Sequence, residues 1–437
     1  MLTRIKQKAS KLWNKQGPEG AIFRNMAKLA TGAGIARVIA LLTAPVITRI
    51  YTPEHFGVLL VFTALTGMMV PFGTLRYSMA IPLPKNDGLA TNLMVLCLVF
   101  LLPVSVLVFV LFWLFAPAVL GLLGMEQLMP WWWLIPLAIA GTGLYELLSN
   151  WAVREKAFGP LAKTQVWQKI IGSVVKIGMG LAGFKPLGLL IGQIFTQAGG
   201  IFSLIRAFRK KLTDNLRFVK RKRINFLFQR FSEFPKYRLP SQVLMSFATK
   251  VPLLFFAWHF GSEITGYFGL AMIILMLPMS LFGQTTGKAY YGEIAKIGRK
   301  DPEKILKVTK NITKRLFLIS LPPFFILLLF GPWLFQTVFG EVWRESGVFA
   351  SILAINLLTM FVANPVTHAL TVMGRQLYYL QINTIRLFLV LAVFFMAYML
   401  NLNPYLSLLA YSLAMSLHRS FVYFRILQII KSPITTQ

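Results

Sequence analysis

Twelve apolar runs, each about as long as a bilayer is thick, follow one another along this chain. An α-helix needs about 20 predominantly apolar residues to cross the hydrocarbon core. The runs fall at 21–47, 55–80, 89–115, 131–151, 161–183, 186–207, 237–260, 264–288, 313–336, 347–372, 376–399 and 404–428. This succession predicts an all-α polytopic membrane protein. A β-barrel would show alternating segments of about ten residues instead. Of 437 residues, 56% are hydrophobic and only 14% are charged. A soluble enzyme with a few buried helices does not repeat such runs from end to end.

The charge is lopsided. Forty-five Lys and Arg stand against 14 Asp and Glu, for a net charge of +31. In a soluble chain that excess suggests nucleic acid, but no nucleic-acid module is visible here. In a membrane protein, basic residues hold loops on the cytoplasmic side. With the amino end inside, the outer loops contain only Arg49, Lys185 and Arg344, and nearly all other loop cations fall inside. An even number of spans then puts both termini in the cytoplasm. Trp131, Trp132 and Trp133 open the fourth span from outside, and Trp333 and Trp343 flank another outer loop, as interfacial rings do. The amino end is a basic tail (Arg4, Lys6, Lys8, Lys11, Lys15) containing Trp13. The run that follows is too long for a signal-peptide core and is read as a retained first span.

The stretch from Arg206 to Arg238 is dense in basic residues, with Phe226, Leu227, Phe228 and Phe231 towards its end. This pattern predicts an amphipathic helix on the inner surface, either a topology anchor or a docking site for lipid headgroups or a partner enzyme. It divides the chain into an N-lobe (1–207), a connection (208–236) and a C-lobe (237–437). A weak repeat fits the division. Tyr51-Thr52-Pro53-Glu54-His55-Phe56-Gly57 is echoed by Phe260-Gly261-Ser262-Glu263-Ile264-Thr265-Gly266. Each then runs through a proline, Pro71 or Pro278, to Phe72-Gly73 or Phe282-Gly283. Two parallel six-span lobes are expected.

Five basic residues lie deep in the spans: Arg37, Lys169, Lys176, Lys250 and Arg386. A charge at mid-membrane costs about 2.5–3.5 kcal/mol on insertion scales, so it is retained facing a wet cavity or a partner. Lys169 and Lys176 are seven residues apart, on one helical face. Lys28, Arg76 and Lys163 lie nearer the inner ends, where long stems can snorkel or line a cavity mouth. Glu146 is the one acid placed within a span, free to pair with a cation or to exchange a proton. A central cavity lined by these cations rejects cationic substrates and attracts phosphate; guanidinium suits bidentate phosphate contacts. Asn364 and His368 share a face of the tenth span, Asn383 precedes Arg386 by one turn, and Gln193, Thr196 and Gln197 cluster in the sixth. These residues either hydrogen-bond sugar hydroxyls or join helices to one another.

No catalytic set emerges. A Gly-rich phosphate loop, a Ser/His/Asp order and a clustered acid pair are all missing, as is any Cys/His spacing suited to a metal. No cofactor or metal is therefore expected. The outer loops are short, whereas glycan polymerases and ligases carry a large outer loop, and a multidrug exporter of cationic drugs would need lumenal acids. Those are the two alternatives to a transporter of anions.

Certain motifs carry a resemblance. Thr48-Arg49-Ile50 leading into Tyr51–Gly57 resembles the opening signature of polysaccharide-export flippases. Trp151-Ala152-Val153-Arg154-Glu155-Lys156-Ala157-Phe158 is similar to their inner loop. Gly183-Phe184-Lys185-Pro186-Leu187-Gly188 with Gly192-Gln193, and Gly374-Arg375 before Asn383 and Arg386, fit too. The family is the Wzx-type oligosaccharide flippases of the multidrug/oligosaccharidyl-lipid/polysaccharide superfamily. The resemblance implies two six-helix lobes around a central cationic cavity. It further implies export of undecaprenyl-pyrophosphate-linked repeat units for O-antigen, capsule or exopolysaccharide, from the inner to the outer leaflet of a bacterial cytoplasmic membrane. The implied partners are that lipid-linked glycan, membrane lipids, and polymerase and chain-length proteins of the same pathway. Arg37, Lys250, Arg386, Lys176 and Lys169 would bind the pyrophosphate, with Arg76 and Lys28 at the cavity mouth. Glu146, Asn364, His368 and Asn383 would serve the glycan or coupling. Related peptidoglycan-precursor flippases have two further helices, for which this chain has no room, so the path of the prenyl tail stays unassigned.

Overall fold

A computed structural model describes residues 18–279, 284–298 and 301–431. The basic tail with Trp13 and the Phe282-Gly283 end of the repeat lie outside them. The described residues contain helices and no strand. In chain order the longer helices are α1 (Pro18–Ile50), α2 (Pro53–Gly73), α3 (Asp87–Leu122), α4 (Leu134–Arg154), α5 (Phe158–Leu181), α6 (Leu187–Ala198) and α7 (Ile201–Leu216). After these come α8 (Arg221–Arg230), α9 (Leu239–Pro278), α10 (Gln284–Ile297), α11 (Pro302–Phe339), α12 (Arg344–Val366), α13 (Gln376–Met399) and α14 (Pro404–Lys431).

Among the described residues, eight helical stretches are long and apolar enough to cross a membrane. Helices α4, α5 and α14 have the length but fall short in apolarity, and they are the ones carrying Glu146, the α5 lysines, and His418 with Arg419. One of the eight, α9, is two crossings rather than one. Gly261 breaks it with φ 80° and ψ −176°, a conformation open to glycine alone at little cost. The expected pair of spans is present, but joined through one residue rather than a loop. The multi-pass, all-helical architecture therefore stands, with twelve segments of crossing length among the described residues.

The chain parts into two compact units. One runs to Tyr51 and resumes at Val61–Phe247; the other takes Thr52–Leu60 and everything from Ala248 on. In the first unit, small residues let helices close on one another. A Cβ on Gly32 would sit 2.7 Å from that of Ala162, so α1 lies tight on α5. Asn86 caps α3 by accepting from the Gly88 N–H at 2.7 Å. The basic connection does contain the expected amphipathic helix, α8. Leu227 is buried while Phe226 is half exposed. Asn92 on α3 clamps the segment before α8, donating to the Phe218 carbonyl at 3.0 Å and accepting from Lys220 N–H at 2.9 Å.

In the second unit, Phe256 centres an aromatic core, stacked on Phe268 at 4.8 Å. Helix α11 is about 57 Å long at 1.5 Å per residue, longer than a hydrocarbon core of about 30 Å. Its first turns bury Ile305, Thr309 and Leu316 and expose Lys304, Lys307 and Lys310, so this end is an amphipathic extension into water.

One boundary differs from expectation. The second span was expected to run to residue 80, but α2 stops at Gly73, because Leu75 and Arg76 adopt left-handed φ values of 46° and 63°. A short 3-10 turn, Tyr77–Ala80, follows. Arg76 is consequently on a turn, not at a helix end.

Candidate functional site

In the first unit the intramembrane cations gather on α5. Lys169 and Lys176 share a face, and the Lys176 ammonium donates to Gln193 Oε1 on α6 at 2.8 Å. Close approach of the two helices makes this contact possible. A Cβ on Gly192 would lie 2.3 Å from Lys176 Cγ, and one on Gly172 would lie 2.8 Å from the Gly192 carbonyl. The Tyr51 hydroxyl donates to the Lys176 carbonyl at 2.7 Å, and Thr43 and Ser173 hydroxyls lie 3.2 Å apart across α1 and α5. Gln193 is neutral, so it orients the ammonium without cancelling its charge. Among the described residues no carboxylate pairs with either lysine. Arg37, on α1, is partly buried, and Lys28 is exposed.

Glu146 is spoken for. Arg76 Nη1 donates to its Oε1 at 3.1 Å and Ser78 Oγ at 2.8 Å, with the two charged side chains only 14% and 24% exposed. Nearby polar groups are bound to one another: Thr142 to Gln197 at 3.3 Å, and Tyr145 to Thr164 at 3.0 Å. At the basic end of the unit, Arg154 bonds Asp87 at 2.7 Å and Lys211 pairs with Glu155.

In the second unit, Lys250 on α9 and Arg386 on α13 are both partly buried. A further cation, Arg419, is absent from the sequence expectations. Arg419 on α14 donates to Asn356 Oδ1 on α12, itself buried. Here a guanidinium meets an amide, with no carboxylate bound to it among the described residues. The signal was present: His418-Arg419 interrupts the last apolar run, but Asn356 lies on another helix and could not be paired with it from sequence. Asn364 and His368 are exposed; His368 lies 5.5 Å from the Tyr291 ring. The Asn383 amide donates to the Tyr379 carbonyl of its own helix at 2.7 Å. The structure thus joins Lys176 with Gln193 in one unit and Arg419 with Asn356 in the other.

Residues 46–348 match the family described as polysaccharide biosynthesis protein. The teichuronic acid biosynthesis protein TuaB of Bacillus subtilis (strain 168) is 21% identical over 274 residues, covering 62% of this chain and 55% of that one. The chain thus spans about half the length of that curated relative. Among solved structures, the lipid II flippase MurJ in an inward closed conformation is similar with a TM-score of 0.67 and 13% identity, over 92% of this chain and 89% of that chain. An inward-facing multidrug resistance MATE family transporter of the MOP superfamily is similar with a TM-score of 0.60 and 16% identity, over 93% and 95%. At such identities the likeness is one of fold.

Proposed function

Because the chain belongs to the polysaccharide biosynthesis protein family and has the fold of flippases and multidrug transporters, we propose that it is a transporter that moves a lipid-linked oligosaccharide across a bacterial cytoplasmic membrane. The cargo in this reading is an undecaprenyl-pyrophosphate-linked repeat unit destined for O-antigen, capsule or exopolysaccharide. Both termini are cytoplasmic, and polymerase and chain-length proteins take over the exported unit.

The observation that carries the reading is intramembrane positive charge without acidic partners. Lys176 and Arg419 are held by the amides Gln193 and Asn356 rather than by a carboxylate. Retaining such charge in an apolar span is costly unless an anion relieves it. A pyrophosphate loaded from the inner leaflet supplies that anion; Arg37 and Lys250 are assigned to diphosphate binding from their places deep in their own spans. The multidrug alternative lacks support, since the Glu146 carboxylate is already held by Arg76 and Ser78. An inside-negative potential would help expel the anion by about 2.3 kcal/mol per charge for each 100 mV crossed.

A deletion strain tests the reading. Lipid-linked units should accumulate on the inner leaflet, detected by mass spectrometry of extracted lipid with no matching surface polymer. Single units exported but unpolymerised would point to a polymerase instead.

A further inference from the structure

The first unit contains a second polar–apolar arrangement, turned away from the lysines just described. A groove of about 600 Å³ opens between α4, α5 and the α6–α7 kink, lined almost wholly by apolar side chains with Lys163 at its rim. The kink lies at Gly199-Gly200, and a Cβ on Gly200 would meet the Tyr145 ring at 2.6 Å, so the chain bends there against a fixed wall. Trp167 and Ile171 on α5 and Phe195 and Phe202 beyond it form the walls. Trp167 is 51% and Phe202 83% exposed.

The helical wheel separates this groove from the cationic face. Trp167 and Lys169 are two residues apart, about 200° around the helix. Lys163 lies one turn before Trp167, on the groove side. Both walls change character in the same direction. On α5 the face reads Ile171, Trp167, then Lys163; on α7 it reads Phe202, then Arg206 and Arg209, all exposed. The cations lie at the end of the unit where Arg154–Asp87 and Lys211–Glu155 mark the aqueous boundary.

We propose that this groove is a specific site for an anionic phospholipid, its acyl chain between Trp167 and Phe202 and its phosphate between Lys163 and Arg206. Exposed cations on two helices, Lys163 at the rim and Arg206 one turn beyond Phe202, complement that amphiphile in charge. A single snorkelling lysine would not account for the second wall. The site is independent of the glycan reading, since it uses none of the cations assigned to transport. Each basic residue near an anionic leaflet is worth about a fivefold preference, so the pair should enrich an anionic over a zwitterionic lipid by more than fivefold.

The test uses the purified full-length protein in phosphatidylcholine vesicles containing a small fraction of brominated lipid, which quenches tryptophan on contact. The Trp167 signal is the difference between the protein and its Trp167→Phe variant. Brominated phosphatidylglycerol should quench that signal at a several-fold lower fraction than brominated phosphatidylcholine. In the Lys163→Gln/Arg206→Gln protein the two lipids should become equivalent. Equal quenching by both lipids in the unmodified protein would overturn the proposal, as would a preference that survives the double substitution. Relief of the quenching by an equal fraction of polyprenyl phosphate would also overturn it, by assigning the groove to the carrier lipid.

Discussion

Gly57 lies against the backbone of Ser262. A Cβ at Gly57 would fall 1.9 Å from the Ser262 carbonyl oxygen. The reverse contact is equivalent, with a Cβ at Gly266 falling 1.9 Å from the carbonyl oxygen of Pro53. Pro53 and Gly57 occupy the same places in the first repeat as Ser262 and Gly266 in the second. Leu60 and Gly269, also equivalent positions, meet with 1.8 Å between a built Cβ and Leu60 Cδ1. The motif noticed as a sequence echo is thus a packing device: two copies of one helix start cross about a local pseudo-two-fold. It also explains why Thr52–Leu60 groups with the second unit. Beside it, Phe56 meets Trp343 edge-on at 4.8 Å.

The reciprocity makes a prediction. Gly57→Val and Gly266→Val each force the two backbones apart and should cost similar amounts, about 1–3 kcal/mol of overpacking. Thermal unfolding in detergent measures both. A large loss at one position and none at the other would contradict the pseudo-symmetric crossing.

The Arg76–Glu146 pair is structural in this account. Glu146→Ala leaves a guanidinium poorly matched inside the unit and should destabilise by about 3–5 kcal/mol, whereas Arg76→Met with Glu146→Leu should recover most of that loss. Stability is read by thermal unfolding and export by surface glycan. Unchanged stability in Glu146→Ala, together with a lost pH dependence of export, would instead make the carboxylate a coupling group.

Asn356 accepts from Arg419, and Gln193 from Lys176. Asn356→Leu removes the acceptor of a partly buried charged donor and should cost about 1–3 kcal/mol. Arg419→Gln keeps hydrogen-bonding capacity but removes charge, and should weaken pyrophosphate binding while leaving the fold intact. Titration of the purified protein with inorganic pyrophosphate separates the two effects. Unaltered binding in Arg419→Gln would remove that residue from the site.

Much of the fold was legible because hydropathy is a strong signal: a span of about 20 apolar residues stands out whatever packs against it. What could not be read was set by single backbone torsions or by distant partners. Gly261 looked like part of a loop, and only its φ of 80° shows that one residue makes the turn. Arg76 looked like a snorkelling helix terminus, since nothing local announces left-handed torsions at Leu75 and Arg76. The lysines of α5 were visible by their spacing, yet the Gln193 contact depends on glycines of two helices meeting. Arg419 escaped notice because its acceptor is on α12.

The central claim is that intramembrane cations hold a diphosphate during passage. The most direct measurement is leaflet transfer of a polyprenyl-diphosphate-linked oligosaccharide in proteoliposomes, followed by a membrane-impermeant glycosidase. The unmodified protein should expose the glycan. Arg37→Ala, Lys250→Ala and Arg386→Ala, inserted at equal amounts, should each slow transfer by about tenfold or more, the equivalent of about 1.4 kcal/mol. Transfer at the unmodified rate in all three variants would contradict the account.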